Sequence, residues 1–232
     1  ALRLSGTPGG DGGALFLRAQ PAAFQDIALN PSVESFTVVV EEIGDTSRPS
    51  LYNATLDLND GNLVLYASET IDITPSEHVN LSLFYISNNT GTAEVSLMGA
   101  DIIGTDDVSI RILLTESMRA SIVYFSKSSI ASSVGGDGTA SILDIYNGGF
   151  LDLAANPSLP FVDFSLHETA DITKPVILSG HMNLDNRVLT LTASETLDVT
   201  PGNLRVDYTK IALSNLTNEN TITLDGSTVT EF

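Results

Sequence analysis

The sequence predicts an all-β fold, a sandwich or barrel, and three observations predict it. Short β-rich runs recur every eight to twelve residues with turn residues between them, the spacing of antiparallel sheets rather than of βαβ units. Only one segment has helical spacing. A nine-residue stretch also occurs twice, so the chain is built from copies of one unit.

The repeated stretch reads Ala67-Ser68-Glu69-Thr70-Ile71-Asp72-Ile73-Thr74-Pro75, and then Ala193-Ser194-Glu195-Thr196-Leu197-Asp198-Val199-Thr200-Pro201, 126 residues later. The offset holds without a gap over a long span. Phe24, Asp26, Ala28, Asn30 and Pro31 match Phe150, Asp152, Ala154, Asn156 and Pro157. Glu42, Asp45, Pro49 and Leu58 match Glu168, Asp171, Pro175 and Leu184. Upstream, Gly9-Gly10-Asp11-Gly12 matches Gly135-Gly136-Asp137-Gly138. Downstream the match loosens, with Gly99 falling near Gly226. Residues 1–126 and 127–232 are therefore two copies, and residues 104–125 have no counterpart in the second.

The elements follow in order. Residues 15–17 and 36–40 are short β-rich runs. Residues 51–58 and 63–66 flank Asn59-Asp60-Gly61-Asn62, and the Asp-Gly pair predicts a hairpin. Residues 79–85, 108–112 and 141–145 alternate apolar and polar, and 95–98 is a short run. The second copy repeats the set at 161–166, 176–184, 188–193, 204–213 and 221–224. In the repeated stretch Leu65, Ala67, Ile71 and Ile73 can face a core, with Glu69 and Asp72 at a strand end and Pro75 stopping the pairing. Met118 and Ile122 lie four apart, with Thr115 placed to cap and Glu116 in the first turn. That spacing predicts a short helix.

Composition narrows the function. The chain has 232 residues, 42% hydrophobic and 17% charged. The first figure supports a packed core and argues against disorder. No apolar run approaches the length of a membrane span. No signal peptide is visible at Ala1, so the start reads as a mature or internal one. Absence of Cys removes disulfides, thiolate metal sites and a Cys nucleophile. Ten basic and 29 acidic side chains give a net charge of −19. Binding nucleic acid needs clustered Lys and Arg, and there is no such cluster. Anionic membrane surfaces are disfavoured for the same reason.

The repeated motifs resemble bacterial-type Ig-like tandem repeats of extracellular surface proteins and adhesins. Those repeats open with D-x-T-x-P, carry L-x-L-x-F-S-E-x-V-D, and close near D-x-A-G-N-P. Asp171-Ile172-Thr173-Lys174-Pro175 matches the opening, and Asp45-Thr46-Ser47-Arg48-Pro49 matches it more loosely. Residues 63–72 and 189–198 match the middle. Asp152-Leu153-Ala154-Ala155-Asn156-Pro157 matches the close, and Asp26-Ile27-Ala28-Leu29-Asn30-Pro31 echoes it. Two positions depart: the Phe before S-E is Ala67 or Ala193, and the Gly of A-G-N is Ala155 or Leu29. The resemblance implies tandem Ig-like β-sandwich domains in an extracellular setting. It implies no activity.

On that register, residues 33–158 form one complete sandwich. Residues 1–32 are closing strands of a unit, and 159–232 an incomplete one completed by strands from elsewhere. The N-terminal strands can fold back within one chain, or residues 1–32 of one molecule can complete 159–232 of the next. The second arrangement is head-to-tail and propagates. The Gly-rich residues 6–13 would serve as a joint or an ordinary loop. A slice of a longer covalent array is the rival. The expected role is a structural subunit of an extracellular filament, with copies of itself as partners. The alternative is an adhesin or carbohydrate-binding repeat module of a large surface protein, which the absence of Trp disfavours.

No catalytic constellation stands out. His78, His167 and His181 have no second His or Cys at ligand spacing. No G-x-S-x-G elbow occurs. Glu41-Glu42 and Asp106-Asp107 are paired carboxylates of the kind a glycosidase uses, and an acidic chain holds such pairs by chance. The expectation is no enzyme and no cofactor. Asp101, Asp106, Asp107 and Asp137 could offer oxygen ligands to calcium, but no D-x-D-x-D-G loop is present. Sequons for N-glycosylation occur at Asn53, Asn80, Asn88 and Asn215, and the Ser-rich residues 126–133 could carry O-linked glycans.

Overall fold

The computed structural model describes residues 4–88, 90–126, 138, 140–199, 205–215, 217 and 220–229. The fold is all-β, as the sequence predicts. The strands of the first repeat are β1 (Phe16–Ala19), β2 (Ser35–Val39), β3 (Leu51–Asp57), β4 (Asn62–Ile71), β5 (Phe84–Asn88), β6 (Glu94–Ser96), β7 (Asp101–Ile103) and β8 (Asp107–Leu113). Helix α1 (Glu116–Phe125) follows. Then come β9 (Ser141–Ile145), β10 (Phe161–Ser165), β11 (His167–Thr169), β12 (Ile177–Asn183), β13 (Val188–Ala193), β14 (Ala212–Ser214) and β15 (Thr221–Thr223).

Residues up to Ile172 form one compact unit. It holds a five-stranded sheet, β11-β3-β4-β8-β7, and a four-stranded sheet, β10-β9-β5-β6. Side chains alternate across a strand with period two, so each strand offers one apolar row. Leu63, Leu65, Ala67 and Ile71 of β4, Ile110 and Ile112 of β8, Phe84 and Ile86 of β5, and Leu143 and Ile145 of β9 all enter one buried cluster. The expected inward positions of the repeated stretch are therefore the buried ones, Ile73 included. The Asp60-Gly61 turn joins β3 to β4. Gly61 sits at φ +73°, the left-handed region that suits glycine.

Helix α1 forms where the sequence predicts it. The Thr115 hydroxyl accepts from the Met118 N–H at 3.4 Å, and Ile122 and Phe125 face the core. Its buried Arg119 grips Glu116 through two bonds, Nε–Oε2 at 2.7 Å and Nη2–Oε1 at 2.9 Å. Nη1 also donates to the Leu58 carbonyl at 2.8 Å and to Asp171 Oδ2 at 2.5 Å. These carboxylates hold the guanidinium firmly protonated. Asp171 is the second-copy counterpart of Asp45, and the strand before it, β11, runs parallel to β3 with His167 opposite Thr55. Residues 167–171 of the second copy are thus built into the first unit.

Two expectations on boundaries shift. Residues 79–85 are not one strand: 81–83 form a 3-10 turn capped by Asn80, whose Oδ1 accepts from both the Ser82 N–H and hydroxyl. The described part of 204–213 does the same, with a 3-10 turn at Tyr208–Lys210 capped by Asp207. Strand pairing sets the extent of the core. β2 pairs with β1 instead of joining the two sheets, while β10 and β11 do join them, so the buried cluster runs from Leu51 to Leu166.

The chain outside that cluster repeats its local pairings. The β1–β2 ribbon opposes Leu17 to Val38 and Ala19 to Ser35, with an irregularity between. Ribbon β9–β10 opposes Leu143 to Phe164 and Ile145 to Phe161, 126 residues on, with the same irregularity. The second compact unit, from Thr173, contains the hairpins β12–β13 and β14–β15. β12–β13 copies the register of β3–β4 at offset 126, from Ile177↔Ala193 to Asn183↔Val188. β14–β15 copies β5–β6 at offset 127, with Leu213↔Ile222 in place of Ile86↔Val95.

Replacing Arg119 by Met removes one charged donor from Asp171 and one donor from the Leu58 carbonyl. Removal of one partner from a buried ion pair costs about 3 kcal/mol. We expect Arg119→Met to lower the melting temperature by several degrees and to speed amide exchange over residues 167–172.

Candidate functional site

At one corner of the first unit three carboxylates converge. Asp45, Glu69 and Asp152 each place an oxygen within 4.8 Å of the others. Each comes from a different element. Asp45 lies in the extended segment before β3, Glu69 near the end of β4, and Asp152 in the loop between β9 and β10.

The loop explains why Asp152 tolerates burial at 1% exposure. Its Oδ1 accepts from the Ala154 and Asn156 N–H groups, both at 2.8 Å, and its Oδ2 accepts from Asn156 Nδ2 at 2.8 Å. Such bonds satisfy a buried charge. Asn156 Nδ2 also reaches the Asp45 carbonyl at 3.1 Å, tying the loop to the segment before β3. Arg48 strengthens the tie, donating from Nε to the Pro157 carbonyl at 2.6 Å and from Nη2 to Asn147 Oδ1 at 2.7 Å and the Ser158 carbonyl at 2.8 Å. The turn needs a left-handed residue at Ala155, φ +64°, where the resembled pattern carries Gly. A left-handed Ala costs about 1–2 kcal/mol, and the Asp152 and Asn156 bonds hold it in place.

Glu69 has no such support. Burial first, then the charges of Asp152 and Asp45, push its carboxyl above its ordinary value. Three converging carboxylate oxygens suit a hard cation such as calcium, which takes six to eight oxygen ligands. They supply only part of that shell.

The sequence candidates fall elsewhere. Among the described residues, Asp101, Asp106 and Asp107 form no such cluster. Asp106 accepts from the Ile73 N–H at 3.1 Å, and Asp107 from the Val108 N–H at 2.7 Å. Asp137 and most of 126–133 lie outside the described residues. Glu42 accepts from the Leu15 and Gly6 N–H groups and from the Ser5 hydroxyl, the last of which chiefly holds its carboxyl below the ordinary value. Glu42 is thus a latch on the ribbon, matched by Glu168 accepting from the Ser141 N–H 126 residues on. His78 Nδ1 lies 2.8 Å from Asp72 Oδ2. His167 is in β11 and His181 in β12.

The sequons differ in access. Asn80 and Asn215 are exposed and Asn53 is half-buried in β3. Asn88 is 2% exposed, and its Oδ1 accepts from the Thr92 and Ala93 N–H groups. A glycan needs its amide in solvent, so the fold removes Asn88 from the candidate set.

The acidic corner had a signal in the sequence. Asp45, Glu69 and Asp152 are the acidic residues of the opening, middle and closing motifs. Their counterparts are Asp171, Glu195 and Asp26. Asp171 is spent on Arg119. Asp26 is exposed in the ribbon, its carboxyl held low first by the Asn30 side chain.

Because Glu69 titrates above its ordinary 4.5, the folded state holds the extra proton between that value and the raised one. Stability therefore falls as pH rises through that window. Glu69→Gln should flatten this dependence and raise the melting temperature at pH 7 by about 1–3 °C, with little change at pH 4. Thermal melts at the two pH values check it.

No protein-family model, no curated protein and no solved structure matches the chain.

Proposed function

We propose that the chain is a structural subunit of an extracellular filament or surface appendage, assembled head-to-tail by β-strand donation between Ig-like domains. One observation carries this reading: two parts of the chain are formed but uncovered. The β1–β2 ribbon keeps the pairings of β9–β10, yet Leu17 and Phe24 are 52% and 65% exposed where Leu143 and Phe150 are 0%. In the second unit, no described residue is buried. Leu184, Leu191 and Leu213 are exposed there, while Leu58, Leu65 and Ile86 are buried in the first unit.

Each uncovered face fits what the other lacks. Burying one such side chain yields about 1.5–3 kcal/mol, so several together offset the cost of association. A contact between unlike surfaces does not close on itself and propagates. The extracellular setting rests on the resemblance. Asn80 and Asn215 are the exposed sequons available to glycans there.

A second reading, an adhesin or carbohydrate-binding module of a large surface protein, draws on two observations. The ribbon offers no counterpart of β8, the strand that pairs with β4, so further segments of one polypeptide would complete the β13 side. Tyr124 is also 82% exposed beside an open groove lined by Thr92, Glu94 and Ser121. A ring beside hydroxyl and carboxylate groups suits a sugar.

Sedimentation and negative-stain microscopy of the full chain and of a variant lacking residues 1–44 test the first reading. Concentration-dependent fibres that vanish on truncation are expected. Monomers in both samples overturn it. The second reading expects saturable binding on a glycan array that Tyr124→Ala reduces at least tenfold, and an array without signal removes it.

A further inference from the structure

We infer that the joint between copies is one fixed antiparallel pairing, β1 of one copy on β14 of the next, with Leu17 opposite Leu213. The inference rests on the strand-donation reading and adds the register and the residues that set it.

The first unit supplies the geometry. There β9 pairs antiparallel with β5, with Phe84 opposite Ile145, Ile86 opposite Leu143 and Asn88 opposite Ser141. β1–β2 reproduces β9–β10 at offset 126, and β14–β15 reproduces β5–β6 at offset 127. The extra residue falls between the Pro75 or Pro201 position and the 3-10 turn. Asn80 and Asp207 cap that turn alike, and Leu97 N–H to Phe84 O becomes Leu224 N–H to Ile211 O. Carrying both offsets across places Ala19 opposite Ile211, Leu17 opposite Leu213 and Leu15 opposite Asn215.

The apolar rows agree with that register. Ile86 and Leu143 are both fully buried, and their counterparts Leu213 and Leu17 are 38% and 52% exposed. Sliding the pairing by one residue would turn Leu17 to the outer face. The ribbon's loop follows the same logic. Phe150 bridges to Val79 and Asp152 to Ile71 in the first unit, which brings Phe24 to Val206 and Asp26 to Leu197 across the joint. The ribbon arrives already shaped. Asn30 N–H donates to Asp26 Oδ1 at 2.8 Å, and Leu29 takes the left-handed φ of +68°, as Asn156 and Ala155 do in the assembled unit. A pre-formed donor loses less entropy on docking.

The register is testable because the chain has no Cys. The Tyr146 N–H to Leu83 O bond makes that pair a hydrogen-bonded one. Alternation then makes Ile86–Leu143, and so Leu17–Leu213, a non-hydrogen-bonded pair with Cα atoms about 4.5 Å apart, which a disulfide spans. The full chain carrying Leu17→Cys and Leu213→Cys should give a ladder of intermolecular cross-links on mild oxidation. Leu17→Cys with Ser214→Cys should not, because Ser214 points to the opposite face.

Charge substitutions test direction. Leu17→Asp removes the donor and Leu213→Asp the acceptor, and both sites are exposed before assembly. Each variant alone should sediment as a monomer. An equimolar mixture should give a 1:1 heterodimer and stop there, since one partner keeps its acceptor and the other its donor. That heterodimer also shows that the surviving halves are folded. Fibres that persist in either Asp variant, or that form without the Leu17–Leu213 cross-link, overturn the register while strand donation stands. A wild-type chain that stays monomeric at every concentration overturns both.

Discussion

A β-hairpin can satisfy its own cross-strand hydrogen bonds but cannot bury its own apolar face. That constraint shapes this chain more than any other. The β3–β4 and β5–β6 hairpins and the β9–β10 ribbon meet around one cluster, where most of the inward residues of β3, β4, β5 and β9 are buried and those of β6 and β10 pack against them. The same three pieces recur as β12–β13, β14–β15 and β1–β2, down to the irregularities in register. They fold locally and remain uncovered. Local pairing is therefore a property of each segment, and burial is a property of which segments meet.

The repeat boundary shows how the chain links one unit to the next. Residues 140–172 of the second copy belong to the first unit. β11 lengthens its larger sheet, and Arg119 fixes Asp171 beside the Leu58 carbonyl. Arg119 sits in α1, within the stretch that has no second copy. The motif's opening Asp thus has two fates. Asp171 pairs with a cation, while Asp45 joins two other carboxylates and leaves Glu69 strained toward protonation. Identical motif positions diverge because their neighbours come from different segments.

The closing loop carries the same lesson at finer scale. Asp152 and Asn156 form a self-contained turn with a left-handed Ala155, and Asp26 and Asn30 form it again with a left-handed Leu29. The turn needs only its own side chains. What differs is solvent: Asp152 is buried beneath the segment that Arg48 clamps, and Asp26 is open to water. The tie of Asn156 to the Asp45 carbonyl needs a segment more than a hundred residues earlier in the chain.

Much of this was legible in the sequence. Period-two alternation predicts most of the strands and the inward residues of the repeated stretch, Asp60-Gly61 the hairpin, Thr115 with Met118 and Ile122 the helix, and the 126-residue offset the copies. These signals are local, or they are comparisons of the chain with itself. The 3-10 turns after Asn80 and Asp207 were hidden because alternation looks the same whether or not a capping side chain captures the backbone. The pairing of β2 with β1, outside the two larger sheets, was hidden too, since a strand's partner is not written in its own residues. The sequence by itself determined most of the strands, the helix, their repetition at offset 126 and the acidic residues of the motifs. Only the tertiary structure decided that Asp45, Glu69 and Asp152 converge, that Asn88 is closed to solvent, and which apolar rows are left uncovered, because each of these depends on contacts between segments far apart in the chain.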